Sequence, residues 1–327
     1  LNVFLPKVRI IAGFAVLLAL NSSFSVAGES EMTSAGLIKT ADSIFASGNH
    51  EKSRELFIMA LDTAQKEGNV SNAVEANAMI ARCYHIAGNL EAGLAYLKAA
   101  QDEVRIEMPS GWSRYLGVKG RFEWKQNDLI KATETFMEMY EYCRENRLSE
   151  RAIDATHMVA ITGTAEQQIE WGKKGIEEAA TNNITSWLGP LWNNLAATYE
   201  DQKRYPEALE AYLQAREYHW RQGTEQNKLI ADWAVGHAYL LNGNYDMAGQ
   251  WLRPVLAWAE RIDNSEFAGY AYRDLGEISL KAGDKKRALE YYIKAEECLK
   301  QAGMPDWDAD GYKKLVDRIK EVESDLE

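Results

Sequence analysis

The chain has 327 residues, 46% hydrophobic and 26% charged, the profile of a folded soluble protein long enough to bury a large core. Its 37 basic side chains are outnumbered by 49 acidic ones, a net charge of −12, so the positive field that a phosphate backbone requires is missing and nucleic acid is not an expected partner. Cys83, Cys143 and Cys298 stand far apart, with no C-x-x-C pairing, and announce no metal site, haem attachment or disulfide framework.

Residues 1–27 read differently from everything after them. Lys7 and Arg9 form a positive region, Ile10 to Leu20 is an uncharged run, and Ser25-Val26-Ala27 supplies the small residues of a cleavage site. This is the layout of a secretory signal peptide, and the apolar run is short for a spanning helix. Cleavage is expected near Ala27/Gly28, giving an exported protein of the bacterial periplasm or medium, with no membrane insertion afterwards.

The rest of the chain repeats itself. The clearest copy runs Trp192-x-x-Leu195-Ala196-x-x-Tyr199, then Tyr205-Pro206-Glu207-Ala208-x-x-x-Tyr212-x-x-Ala215. With Ala208 as the marker, equivalents stand at Ser53, Gly93, Ala132, Gln168, Ala248 and Ala288, at intervals of 36 to 40 residues. The pattern closely resembles the tetratricopeptide repeat, W-x-x-L-G-x-x-Y followed by A-x-x-x-F-x-x-A. The resemblance implies an all-α, right-handed superhelical solenoid of seven helical hairpins, with repeats near 33–70, 71–109, 110–148, 149–185, 186–225, 226–265 and 266–304. The long unit is similar to that of kinesin light chains and of the peptide-sensing regulators of bacilli. Gly48-Asn49, Gly88-Asn89, Gly243-Asn244 and Gly283-Asp284 mark turns inside repeats. Pro206 opens a helix, Pro109 and Pro190 fall in or beside loops between repeats, and Pro254 falls inside a helix that it is expected to kink. Leu315, Ile319, Val322 and Leu326 form an apolar stripe on a capping helix over 306–326.

Candidate chemistry is sparse. Asp306-x-Asp308-x-Asp310-Gly311 with Asp317 has the spacing of a calcium loop, but the repeat register makes Gly311 helical, and acidic residues complementing a helix N-terminus are expected instead. No H-E-x-x-H, G-x-S-x-G or phosphate-binding glycine loop is present, so neither catalysis nor a cofactor is expected. Most of the ten tryptophans and sixteen tyrosines sit at seam positions and are assigned to packing.

The resemblance also implies an inner, concave wall lined by the first helix of each repeat. The register places Arg82, His85, Arg114, Arg121, Trp124, Asp154, His157, Asn193, Asn194, Glu200, Trp233, His237, Arg273, Asp274 and Glu277 on it. Arg82, Arg121, His157 and His237 share one position and form a mostly cationic row. An acidic part of a partner is expected on Arg82, Arg114 and Arg121, with an apolar side chain against Trp124. Asn194 holds the position at which related long-repeat families contact a peptide backbone. Its counterparts, Lys39, Met79, Val118, Asp154, Ala234 and Asp274, break that ladder. The expected function is a non-enzymatic, exported scaffold holding a protein or peptide segment in this groove. The alternative is an assembly subunit, or a relative of sensor domains, that uses its outer face or ends.

Overall fold

The computed structural model describes residues 33–327, so the segment read as a signal peptide lies outside the described residues. The described chain is all α. Helices pair as α1 (Ser34–Ala46) with α2 (His50–Glu67), α3 (Val70–Ile86) with α4 (Leu90–Glu103), α5 (Pro109–Lys125) with α6 (Leu129–Glu145), and α7 (Ser149–Thr162) with α8 (Ala165–Thr181). After a single turn at Thr185–Trp187 come α9 (Leu188–Asp201) with α10 (Tyr205–Gln222), α11 (Glu225–Leu241) with α12 (Tyr245–Arg261), and α13 (Ser265–Lys281) with α14 (Lys285–Gln301). A one-turn α15 (Met304–Trp307) and α16 (Ala309–Ser324) follow. The helices form two compact units, the first ending at Trp187 and the second running Leu188–Glu327.

Two adjacent residues make the turn in four of the hairpins. Gly48, Gly88, Gly243 and Gly283 take positive φ, a conformation that a Cβ disfavours, and reverse the chain after the first helix. The next residue then caps the second helix: the side chains of Asn49, Asn89, Asn244 and Asp284 each accept a hydrogen bond from the amide three residues on. Repeats three and five make the same turn without glycine, through Asn127 (φ 64°) and Lys203 (φ 59°). The fourth hairpin turns differently. Gly163 stays extended, and Thr164 and Gln167 form a capping box that starts α8.

Small residues let the paired helices approach. Ala132, Ala248 and Ala288 are fully buried, and a Cβ on Gly120 or Gly276 would lie 2.7 Å from the ring of Phe136 or Tyr292. Those two rings are themselves fully buried, so each fills the space its glycine leaves. In the first unit the core joins Val74, Ala78, Leu97, Leu116, Phe122, Phe136, Tyr140 and Trp171. Leu229, Leu252, Tyr270, Tyr292 and Leu299 anchor that of the second.

The capping helix packs on α14 through buried Leu315 and Val322, whereas Leu326 lies beyond α16 and is exposed. Gly311 is helical, and its amide donates to the Asp308 carboxylate at 3.0 Å, which makes Asp308 the cap of α16. Among the described residues no three His, Cys, Asp or Glu side chains are grouped to hold a metal ion. Pro190 lies in the first turn of α9, beside the turn at Thr185–Trp187, and a missing N–H there costs nothing. Pro254 is accommodated within α12, which continues to Arg261. No described helix is long and apolar enough to cross a membrane.

Candidate functional site

In the first unit the first helices of successive hairpins, α1, α3, α5 and α7, pack side by side. Their charged residues are cross-linked rather than presented as a cationic lane. Arg114 donates to Asp42 at 2.6 Å and lies 3.5 Å from Glu75, while Arg151 donates to the same Glu75 at 2.8 Å. One buried carboxylate thus sits between two guanidiniums, and the chain Asp42–Arg114–Glu75–Arg151 ties all four first helices together. Beside it, Arg121 donates to Asp154 at 2.7 Å and to the Gly117 carbonyl at 2.9 Å. Burial pushes the His157 pKa down to about 4 against the pull of Asp154, so His157 is uncharged near neutral pH. Its ring packs edge-on against Trp187 at 5.6 Å.

Arg82 is the exception. Its Nη1 donates to His85 Nδ1 at 2.9 Å, and no described acid forms an ion pair with it. A guanidinium can only donate, so His85 must accept at Nδ1 and carry its proton on Nε2, which donates to the Arg121 carbonyl at 3.1 Å. Burial, reinforced by the Arg82 charge, holds the His85 pKa at about 4 and keeps this neutral tautomer. Trp124, one turn beyond Arg121, is half-buried against the core and still reaches the surface.

The second unit closes the same register completely. Asp274 accepts from Trp233 Nε1 at 3.0 Å, from His237 Nδ1 at 2.9 Å, and from Arg273 Nε and Nη2 at 3.0 and 2.8 Å. Glu200 faces His237 Nε2 at 3.6 Å and accepts from Tyr212 at 3.0 Å. Burial opposes a charge on His237, but Asp274 and Glu200 outweigh it and hold its pKa up at about 9. Two carboxylates therefore balance two cations in a closed cluster. Asn193, Glu200, Trp233, His237, Arg273 and Asp274, expected to line an open wall, are buried and already partnered or packed within the unit. The expected cationic row is corrected accordingly: Arg121 and His237 are each neutralised by an aspartate, and His157 is uncharged. Asn194 and Glu277 are half-buried, the latter accepting from Arg318 at 3.1 Å.

Sequence reasoning missed Asp42, Glu75 and Arg151. Glu75 could have been noticed as a charge embedded in the small-residue run Ala73-Val74-Glu75-Ala76. An aromatic cluster on α10–α12 was also missed. Arg216 lies 5.0 and 4.8 Å from the Trp220 and Trp251 rings, and Asp232 accepts from Arg216 at 2.6 Å and from Trp220 at 2.7 Å. Trp220 is exposed and its ring is 6.2 Å from that of Trp258.

Family models described as tetratricopeptide repeat match residues 227–301 and 189–217. No curated protein matches the sequence. A Pyrococcus horikoshii signal-transduction ATPase with numerous domains, which has a tetratricopeptide repeat sensor, superposes with a TM-score of 0.70 at 20% identity. That match covers 88% of this chain and only 44% of the ATPase. The apo form of RapI gives 0.69 at 13% identity, covering 88% of this chain and 85% of RapI. A Rap protein complexed with Competence and Sporulation Factor gives 0.55 at 12%, covering 89% and 87%. The fold is that of the tetratricopeptide-repeat proteins.

Proposed function

We propose that this chain of tetratricopeptide-repeat fold is a non-enzymatic scaffold that holds a protein or peptide segment on the first-helix wall of its first unit. The observation that carries this is the contrast between the units. In the second, the wall register is closed into a charge-balanced cluster, while in the first it keeps Arg82, His85 and Trp124 partly accessible on a frame cross-linked by Asp42, Arg114, Glu75 and Arg151. A rigid frame lowers the ordering cost of binding, and a partly exposed Trp beside Arg is the composition of interface hot spots. The Rap protein solved with its factor supports such a use of the fold. We also propose export with cleavage after Ala27, on the layout of residues 1–27; mass spectrometry of the mature protein should find an N-terminus at Gly28.

The Trp220–Arg216–Trp251 cluster favours a second reading, in which α10–α12 form an assembly surface. The two separate cleanly. With a partner captured by the mature protein from its own envelope extract, Trp124→Ala should weaken binding at least tenfold and Trp220→Ala should leave it unchanged. The reverse pattern assigns the function to assembly.

A further inference from the structure

Two ion pairs obey one rule of register. A basic residue on a first helix is answered by an aspartate three positions earlier in the register of the next first helix: Arg121 by Asp154, and His237 by Asp274. Arg82 holds the basic position one hairpin before Arg121, and the answering position is Val118, buried and apolar. Asp154 acts on Arg82 only from beyond ion-pair range and is engaged by Arg121, whose own charge repels Arg82. His85 uses one guanidinium N–H and leaves the others without a described acceptor. At the start of α2, His50 also feels the Arg82 charge, and its buried Nδ1 has no hydrogen-bond partner. A guanidinium held in place, with no carboxylate of its own and an unused imidazole nitrogen nearby, is a half-built anion site.

We propose that Arg82, positioned by His85 and flanked by His50, receives a side-chain carboxylate of an acidic peptide segment. This rests on the reading of the first-unit wall as the binding surface and names what the wall selects. The bound carboxylate occupies the place that Asp154 fills for Arg121. His85 is a positioning residue, while Arg82 makes the contact and His50 reports it through the Arg82 charge it feels.

The test is an NMR titration of the folded protein, observing the arginine Nε–H and histidine ring signals, with three probes: an alternating Glu-Ala peptide, its Gln-Ala counterpart and inorganic phosphate. The Glu-Ala peptide should shift the Arg82 and His50 signals saturably, and the Gln-Ala peptide should not. Arg82→Gln should weaken the Glu-Ala peptide at least tenfold. Val118→Asp, which supplies the missing internal partner, should do the same with Arg82 intact. Peptide binding that maps to α3 and α5 but survives Arg82→Gln overturns the site and leaves the wall standing. Shifts confined to α10–α12 overturn both. A response to phosphate but not to the Glu-Ala peptide, or no response at Arg82 to any probe, overturns the carboxylate assignment.

Discussion

Arg121 on α5 and Asp154 on α7 meet at 2.7 Å across neighbouring hairpins, and the same step along the register separates His237 from Asp274 at 2.9 Å. A solenoid repeats its backbone geometry, so a pair of residue types placed once at the right offset recurs wherever the sequence supplies both. Where it supplies only the cation, as at Arg82 opposite Val118, the position stays open to something else.

The closed cluster of the second unit predicts a large mutational effect. Asp274 accepts from Trp233, His237 and Arg273 while fully buried. Asp274→Ala leaves buried Arg273 and His237 with Glu200 alone to balance them, and breaking a buried pair in this way costs about 3–5 kcal/mol. Hydrogen exchange should show α11–α14 opening while α3–α7 stay protected. Removal of Asp154, half-buried and paired once, should cost less.

The two units should also respond differently to pH. The folded pKa of His237, about 9, lies above its unfolded value near 6.5, so its contribution is complete below pH 6.5 and fades as pH rises through 9. His85, His157 and His219 are held near 4 by burial, His85 also by Arg82, so their contribution is present above pH 6.5 and is lost as pH falls toward 4. Acid should weaken both units, since His219 belongs to the second. Loss of protection on the alkaline side, between pH 7 and 9, should be confined to the second unit and absent in His237→Gln. Equal alkaline loss in both units would contradict this assignment.

Lys203 makes a left-handed turn, φ 59°, that Gly48, Gly88, Gly243 and Gly283 make elsewhere. A Cβ in that conformation costs roughly 1–2 kcal/mol, and part of the gain from its removal is offset by the wider freedom of an unfolded glycine. Lys203→Gly should therefore raise the stability of the second unit by about 0.5–1 kcal/mol in a denaturant titration. No gain would mean that the turn is relaxed as it stands.

The hairpins were legible in the sequence because most are specified more than once: a small residue at every seam but the fourth, an aromatic one turn on at Phe57, Phe136, Tyr212 and Tyr292, and in four of them a Gly-Asn or Gly-Asp pair that both reverses the chain and caps the next helix. The two turns without glycine, at Asn127 and Lys203, follow from the period alone. The wall was legible only as a set of positions. Periodicity places His237 and Trp233 on a face of α11, but burial depends on what the next hairpin sets opposite. There Asp274 and Arg273 close the cluster, whereas Val118 leaves Arg82 open. His50 was invisible to the register because it lies on the second helix of the preceding repeat, and Glu75 because its two arginines stand on α5 and α7 and leave no local signature.

Binding on the first-helix wall of the first unit should be visible in hydrogen exchange of the mature protein, alone and saturated with the partner captured from its own envelope extract. New protection is expected in α3 and α5, around Arg82 and Arg121–Trp124, with α10 and α12 unchanged. Protection at Trp220 and Trp258 with α3 and α5 unchanged would contradict it.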